Sequence, residues 1–105
     1  AAKSRGPGPG TNRRLVAELQ QQLTASRGAQ DILDLSSRRV AEFDPVNLAT
    51  ALYRVAKSRD GFKFVNDAAF ETLIDAVKGA FGRPRAYDPR GLSNIAWACA
   101  SISKF

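Results

Sequence analysis

The sequence predicts an all-α protein, an α-solenoid of antiparallel helix pairs with about five helices. Three observations predict it. Apolar residues recur at helical spacing in five segments separated by cap and stop signals. No window alternates apolar and polar residues between hairpin turns, which removes the strand alternative. Two stretches of the chain repeat each other at an offset of 44 residues, a period in the range of stacked helix-turn-helix units.

The first element follows a basic Gly/Pro-rich arm over residues 1–12, AAKSRGPGPGTN, whose composition buries too little apolar area to offset the entropy of ordering. It reads as a flexible arm. Leu15, Val16, Leu19 and Leu23 then fall at helical spacing, with Thr11 or Asn12 as N-cap and Gly28 as stop, giving a helix over about 13–26. Ile32, Leu33 and Val40 continue the period through a second helix, about 29–41, with Asp31 and Asp34 near its start and Arg38 and Arg39 near its end, as the helix dipole favours.

Asp44-Pro45 supplies an N-cap followed by Pro at the first helical position, where its missing N–H costs nothing, and predicts a third helix over 45–58. Asn66 or Asp67 caps a fourth, about 67–82, with Phe70, Leu73, Ile74, Val77 and Phe81 as its stripe and Gly82 and Pro84 as its stop. Asp88-Pro89 repeats the cap device and opens a fifth, to about Lys104. The predicted core is Leu33, Leu48, Leu52, Ile74, Val77, Phe81, Leu92, Ala96 and Ala100. Truncating Phe81 to Ala is expected to cost about 3 to 5 kcal/mol, as large-to-small core changes do.

The repeat sets FDPVNLATALYRVAKS, from Phe43, over YDPRGLSNIAWACASI, from Tyr87, without a gap. Asp44/Asp88, Pro45/Pro89, Leu48/Leu92 and Ala56/Ala100 are identical, and Phe43/Tyr87 and Tyr53/Trp97 keep an aromatic. With a slightly shorter loop the preceding helices also match, pairing Ile32/Leu73, Leu33/Ile74, Ser36/Val77 and Val40/Phe81. The helical domain over 13–105 therefore holds two units, about 29–58 and 67–104, and one leading helix. Because solenoids generally need about three units, the C-terminal helix is expected to be covered by further repeats or by a protein partner. Ile95, Ile102 and Phe105 are the residues expected to point toward that cover, with a fold-back of Ile102 and Phe105 onto the third helix as the alternative.

The stretch Leu92-Ser93-Asn94-Ile95-Ala96-Trp97-Ala98-Cys99-Ala100 after Asp88-Pro89, with its fainter copy from Leu48 to Lys57, resembles the second-helix signature of octotricopeptide-type repeats. It is similar also to the arrays of RAP-domain and FAST-kinase-like proteins. The resemblance covers about residues 29–104. It implies paired helices stacked into an RNA-binding superhelix, acting in RNA processing, stability or translation in an organelle, chloroplast or mitochondrion. A RAP domain is not part of the stretch, so no nuclease-like activity is implied.

Composition narrows the function classes. The net charge is +6, four of the excess charges being Lys3, Arg5, Arg13 and Arg14 in the arm and first turn, so the rest of the chain carries only +2. With no His and one Cys, neither a Cys/His zinc cluster nor a His-dependent catalytic group can be assembled. Asp31 and Asp34 share a face, but dipole compensation explains them, and GPGPG lacks the Lys-Ser/Thr of a phosphate loop. A non-enzyme without cofactor or metal is expected. No stretch of about 18 apolar residues offers a transmembrane helix, so no membrane insertion is expected.

RNA is the expected partner, and the candidate contacts are basic. Arg83, Arg85 and Arg90 flank the loop before the last helix, facing either a polyanion or nearby acids such as Asp88. Arg54, Lys57 and Arg59 lie along the third helix, at a spacing that follows a phosphate backbone or simply a solvated face. Lys3, Arg5, Arg13 and Arg14 form a basic arm like those that gain structure on nucleic acid, or a linker or targeting remnant. Tyr53 and Trp97 either plug the contact between units or stack on bases. Cys99, aligned with Val55, reads as a small buried hydrophobe. The second reading is a structural subunit that docks onto protein in a large organellar assembly, such as a ribosome or a photosynthetic complex.

Overall fold

Both Asp-Pro steps start helices. In a computed structural model describing residues 13–59, 61–64 and 66–102, the elements are α1 (Arg13–Ala25), α2 (Ala29–Arg39), α3 (Pro45–Lys57), α4 (Ala68–Ala80) and α5 (Pro89–Ile102). Among the described residues there is no strand. The arm with Lys3 and Arg5, the expected α1 caps Thr11 and Asn12, and Phe105 lie outside the described residues.

Asp44 and Asn47 close a capping box at the start of α3. The Asp44 carboxylate accepts from the Asn47 N–H at 2.8 Å, and the Asn47 side-chain oxygen accepts from the Asp44 N–H at 3.1 Å. At α5 only half of it exists, because Gly91 stands where Asn47 does: Asp88 accepts from the Gly91 N–H at 2.7 Å and nothing returns the bond. Asp67 caps α4 through the Ala69 N–H at 2.9 Å. α2 ends two residues before its expected stop because Arg39 leaves the helical region (φ −134°, ψ 13°), and Val40–Glu42 continue as a 3-10 turn.

The helices alternate between two layers. α3 lies beside α1 and α5 and across from α2 and α4, which pack on each other. The core between the layers is built from Leu19 and Leu23 of α1, Ile32 and Leu33 of α2, Leu48, Leu52 and Val55 of α3, and Phe70, Leu73, Ile74 and Val77 of α4. Burying side chains of this size contributes about 1.5 to 3 kcal/mol each. Two polar residues are fully buried among them, Ser36, which donates to the Ile32 carbonyl at 2.8 Å, and Asn47. Asn47 donates to the Gln20 side chain at 2.9 Å and to the Val16 carbonyl at 3.3 Å, while Gln20 donates to the Thr50 hydroxyl at 2.9 Å. This network ties α1 to α3 and satisfies the buried amide.

Four residues of the predicted core are exposed. Phe81 is 49% exposed because α4 ends at Ala80, so Ala80 takes the buried place one turn after Val77 and the Phe81 ring leans on Tyr87, centroids 4.9 Å apart. Truncating Phe81 therefore removes mainly that ring contact, about 0.5 to 1.5 kcal/mol, rather than a core side chain. Leu92, Ala96 and Ala100 are exposed because α5 packs chiefly on α3 instead of on α4. Its buried face is the one carrying Ile95 and Ala98. Ile95, expected to face a partner, is a core residue, and Ile102 is half-buried against the core rather than outward. An Ala-rich helix gives almost no periodic contrast, so its neighbours decide which side is inward.

Candidate nucleic-acid interface

The layer of α1, α3 and α5 carries a groove of about 360 Å³ on its surface. Each helix contributes a hydrogen-bonding side chain to it: Gln20 from α1, Thr50 from α3 and Asn94 from α5. Thr50 and Asn94 are counterparts in the two repeat units. Tyr53 forms part of the wall, and Arg54 and Arg90 place cations at it. Arg54 also lines a second depression of about 200 Å³ with Arg27 and Lys57, and Gln20 and Val46 continue into a third of about 450 Å³ that includes Arg13. Arg13, Arg90, Arg54, Lys57 and Arg27 thus border one connected run of depressions.

The candidate basic residues divide on this surface. Arg54, Lys57 and Arg90 are brought to it, with Arg13 at one end. Arg59, Arg83 and Arg85 are exposed but line none of the three depressions, and Arg14 is exposed on the first turn of α1. Arg85 holds a positive φ of 57° in the turn before α5, a backbone conformation uncommon for a residue with a Cβ. Among the described residues, Arg54, Arg83, Arg85 and Arg90 have no carboxylate within ion-pair distance, and Asp88, the nearest expected partner, is engaged in capping α5. Arg27, by contrast, lies 3.7 Å from the Asp31 carboxylate.

The two repeated aromatics meet. Tyr53 and Trp97 pack with ring centroids 5.2 Å apart at 53°, and the Lys57 ammonium lies 5.7 Å from the Tyr53 centroid. Tyr53 is therefore held between a cation and an indole, while Trp97 remains 46% exposed. The contact between units and an open aromatic surface coexist in one pair. Cys99 is half-buried against the core, and burial pushes its thiol up, opposed by Lys78. That environment disfavours the thiolate and with it nucleophilic chemistry.

Asp31 and Asp34 are each engaged locally. Asp31 accepts from the Arg27 N–H at 3.1 Å and Asp34 from the Gln30 amide at 2.8 Å.

Over an alignment of 113 positions covering 91% of the chain, the sequence is 27% identical to the RAP domain-containing protein, chloroplastic, of Oryza sativa subsp. japonica. The chain spans 17% of that relative's length. No protein-family profile and no solved structure matches the chain.

Gln20, Thr50 and Asn94 were not legible as site residues, since polar residues on amphipathic helices are ordinary. For Thr50 and Asn94 the signal that could have found them is the repeat itself, whereas Gln20 lies on the leading helix outside the two units. Thr50 and Asn94 share a register position, and a position that is polar in both units of a layered array faces the same surface in both.

Proposed function

We propose that the chain binds RNA through the groove of the α1, α3 and α5 layer, as part of an organellar helical-repeat protein acting in RNA processing, stability or translation in a chloroplast or mitochondrion. The observation that carries this reading is the connected run of depressions, in which Arg13, Arg27, Arg54, Lys57 and Arg90 outnumber the lining carboxylates Asp44 and Asp88, both of which are engaged in capping helices. Arg54 and Arg90 border a groove that also offers hydroxyl and amide groups and an aromatic ring, and neither arginine is neutralised by a described carboxylate. Cations along a strand supply backbone affinity, while hydroxyl, amide and aromatic groups recognise unpaired bases. The resemblance of the repeats to octotricopeptide-type arrays and the similarity to a chloroplastic RAP domain-containing protein point the same way.

The test is a salt titration of binding to a single-stranded RNA oligonucleotide, comparing the wild type with Arg54→Glu/Arg90→Glu. Each phosphate contact contributes about 0.7 to the logarithmic salt slope on single strands. The double variant is expected to bind at least about tenfold more weakly at low salt and to lower the slope by about one to two, with circular dichroism unchanged. Equal affinity and slope in the two proteins would remove the groove from RNA binding. The reading of the chain as a protein-docking subunit is favoured by a different surface, the uncovered side of α5.

A further inference from the structure

We propose that the exposed face of α5, formed by Leu92, Ala96 and Ala100 with Trp97 at its edge, docks an amphipathic helix of the α4 type, supplied by a further helical unit in the layer of α2 and α4. This inference is independent of the RNA reading and uses a different side of the molecule.

The two copies of the repeat supply the argument. α3 has α1 and α5 beside it and α2 and α4 across from it, whereas α5 has α3 beside it and no comparable contact with α2 or α4. The consequence is read at matching positions. Leu48 and Leu52 of α3 are 3% and 0% exposed, while their counterparts Leu92 and Ala96 are open, Leu92 at 44%. The surface that the opposite layer covers in the first unit is therefore the surface left bare in the second.

Charge gives a second, independent observation. From Gly91 to Ile102 the chain has no charged residue, although α1 to α4 each place charges on their outer sides. A helix with one side in the core and the other in water ordinarily carries charge on the wet side. An uncharged surface of Leu92, Ser93, Ala96, Trp97 and Ala100 has the composition of a covered one.

The occupant's chemistry follows from what covers α3. α4 brings a stripe of Phe70, Leu73, Ile74 and Val77 to the core, spaced i, i+3, i+4 and i+7. Leu92, Ala96 and Ala100 extend over about 12 Å of α5 at 1.5 Å per residue, a length matched by two to three turns of such a helix. Where α3 has Leu52, α5 has Ala96, so the covering helix must approach more closely or present a larger side chain there. Phe or Leu opposite Ala96 would restore the volume.

The experiment uses the full 105-residue chain and a capped synthetic peptide of residues 66–82, the α4 stripe with its Asp67 cap. Trp97 is the single tryptophan and lies at the edge of this face, packed on Tyr53 of the groove wall, so its emission is followed in the absence of RNA. The expected result is a saturable blue shift with one peptide bound per chain. Leu92→Asp is expected to weaken binding at least about tenfold, because docking would bury an unpaired carboxylate. Its circular dichroism should match the wild type, since Leu92 is exposed. Ala96→Glu is the second variant, and the peptide with Ile74→Asp is the control expected not to bind. The shift should be insensitive to Arg54→Glu/Arg90→Glu, which separates this result from the RNA test. No shift up to about 1 mM peptide, the weakest affinity worth assigning to such a contact, would overturn the proposal. So would a chain that sediments alone as a dimer and becomes a monomer on Leu92→Asp, which would give the face to a second copy.

Discussion

α3 and α5 are copies of one sequence pattern, and they differ in what surrounds them. α3 has neighbours on three sides and buries Leu48, Ala51, Leu52 and Val55, while α5 has one principal neighbour and buries only Ile95 and Ala98. The lesson is that a repeat specifies which residues are available for burial, and the layers decide which are used. Pattern alone assigned Leu92 the role of Leu48, because the two are identical at the same register. Burial depends on an opposing helix being present, and that is a property of the array rather than of the unit.

Truncating the shared leucine in each copy gives the largest expected difference between α3 and α5. Leu48→Ala removes a side chain packed between the layers and is expected to destabilise by about 2 to 5 kcal/mol, as buried Leu→Ala changes do. Leu92→Ala, on the exposed counterpart, is expected to cost less than about 1 kcal/mol. Urea denaturation of both variants measures the difference. Similar losses would mean that α5 is covered in solution as α3 is.

Helix number, type and start were legible because they are local: Asp44-Pro45 and Asp88-Pro89 encode their own hydrogen bonds, and no distant residue is needed to form them. The stripe of α4 was legible because Phe70, Leu73, Ile74 and Val77 contrast with Glu71, Asp75 and Lys78. Its end was not. Whether Ala80 or Phe81 turns inward depends on where the last helical bond falls, one residue either way. In α5, with Ala96, Ala98 and Ala100 on several sides, the apolar signal points nowhere in particular, and Ile95 was assigned to a partner when it belongs to the core. Of the candidate site, the cations Arg54, Lys57 and Arg90 could be named, but their convergence with Gln20 and Asn94 arises from packing α1 and α5 on either side of α3.

A smaller effect is expected where the two caps differ. Asn47→Gly makes the first unit like the second. It removes the return half of the capping box and leaves the Gln20 amide oxygen and the Val16 carbonyl without that donor. Lost cap and unsatisfied partner together are expected to cost about 2 to 4 kcal/mol. The reciprocal Gly91→Asn is expected to change stability by less than about 1 kcal/mol. Its new Cβ would lie 3.2 Å from the Asp88 carboxylate and 3.6 Å from the Tyr87 ring, a tight fit that offsets the gain in helix propensity. A loss from Gly91→Asn as large as that from Asn47→Gly would show that the second cap is as constrained as the first.

The smallest effect concerns the aromatic that precedes each Asp-Pro step. Phe43 is buried, whereas its counterpart Tyr87 is half-buried and donates its hydroxyl to the Val77 carbonyl at 3.0 Å, tying the loop before α5 to α4. Tyr87→Phe makes the second unit like the first and at neutral pH is expected to cost about 0.5 to 1.5 kcal/mol, the worth of one such bond. Burial pushes the Tyr87 phenol up from its ordinary value near 10 to about 12, against an opposing pull from Arg83. The unfolded chain therefore releases this proton first. The contribution of the neutral phenol is complete below about pH 10 and declines as the pH rises toward about 12, because deprotonation favours the unfolded state and removes the donor to Val77. The informative quantity is the wild-type stability minus that of the Tyr87→Phe variant, because everything the two proteins share cancels in it. That difference should be flat from neutral pH to about 10 and shrink above it. Parallel stability curves across the whole range would place the Tyr87 hydroxyl in water, and would remove the hydrogen bond to α4 that this joint has and its counterpart at Phe43 lacks.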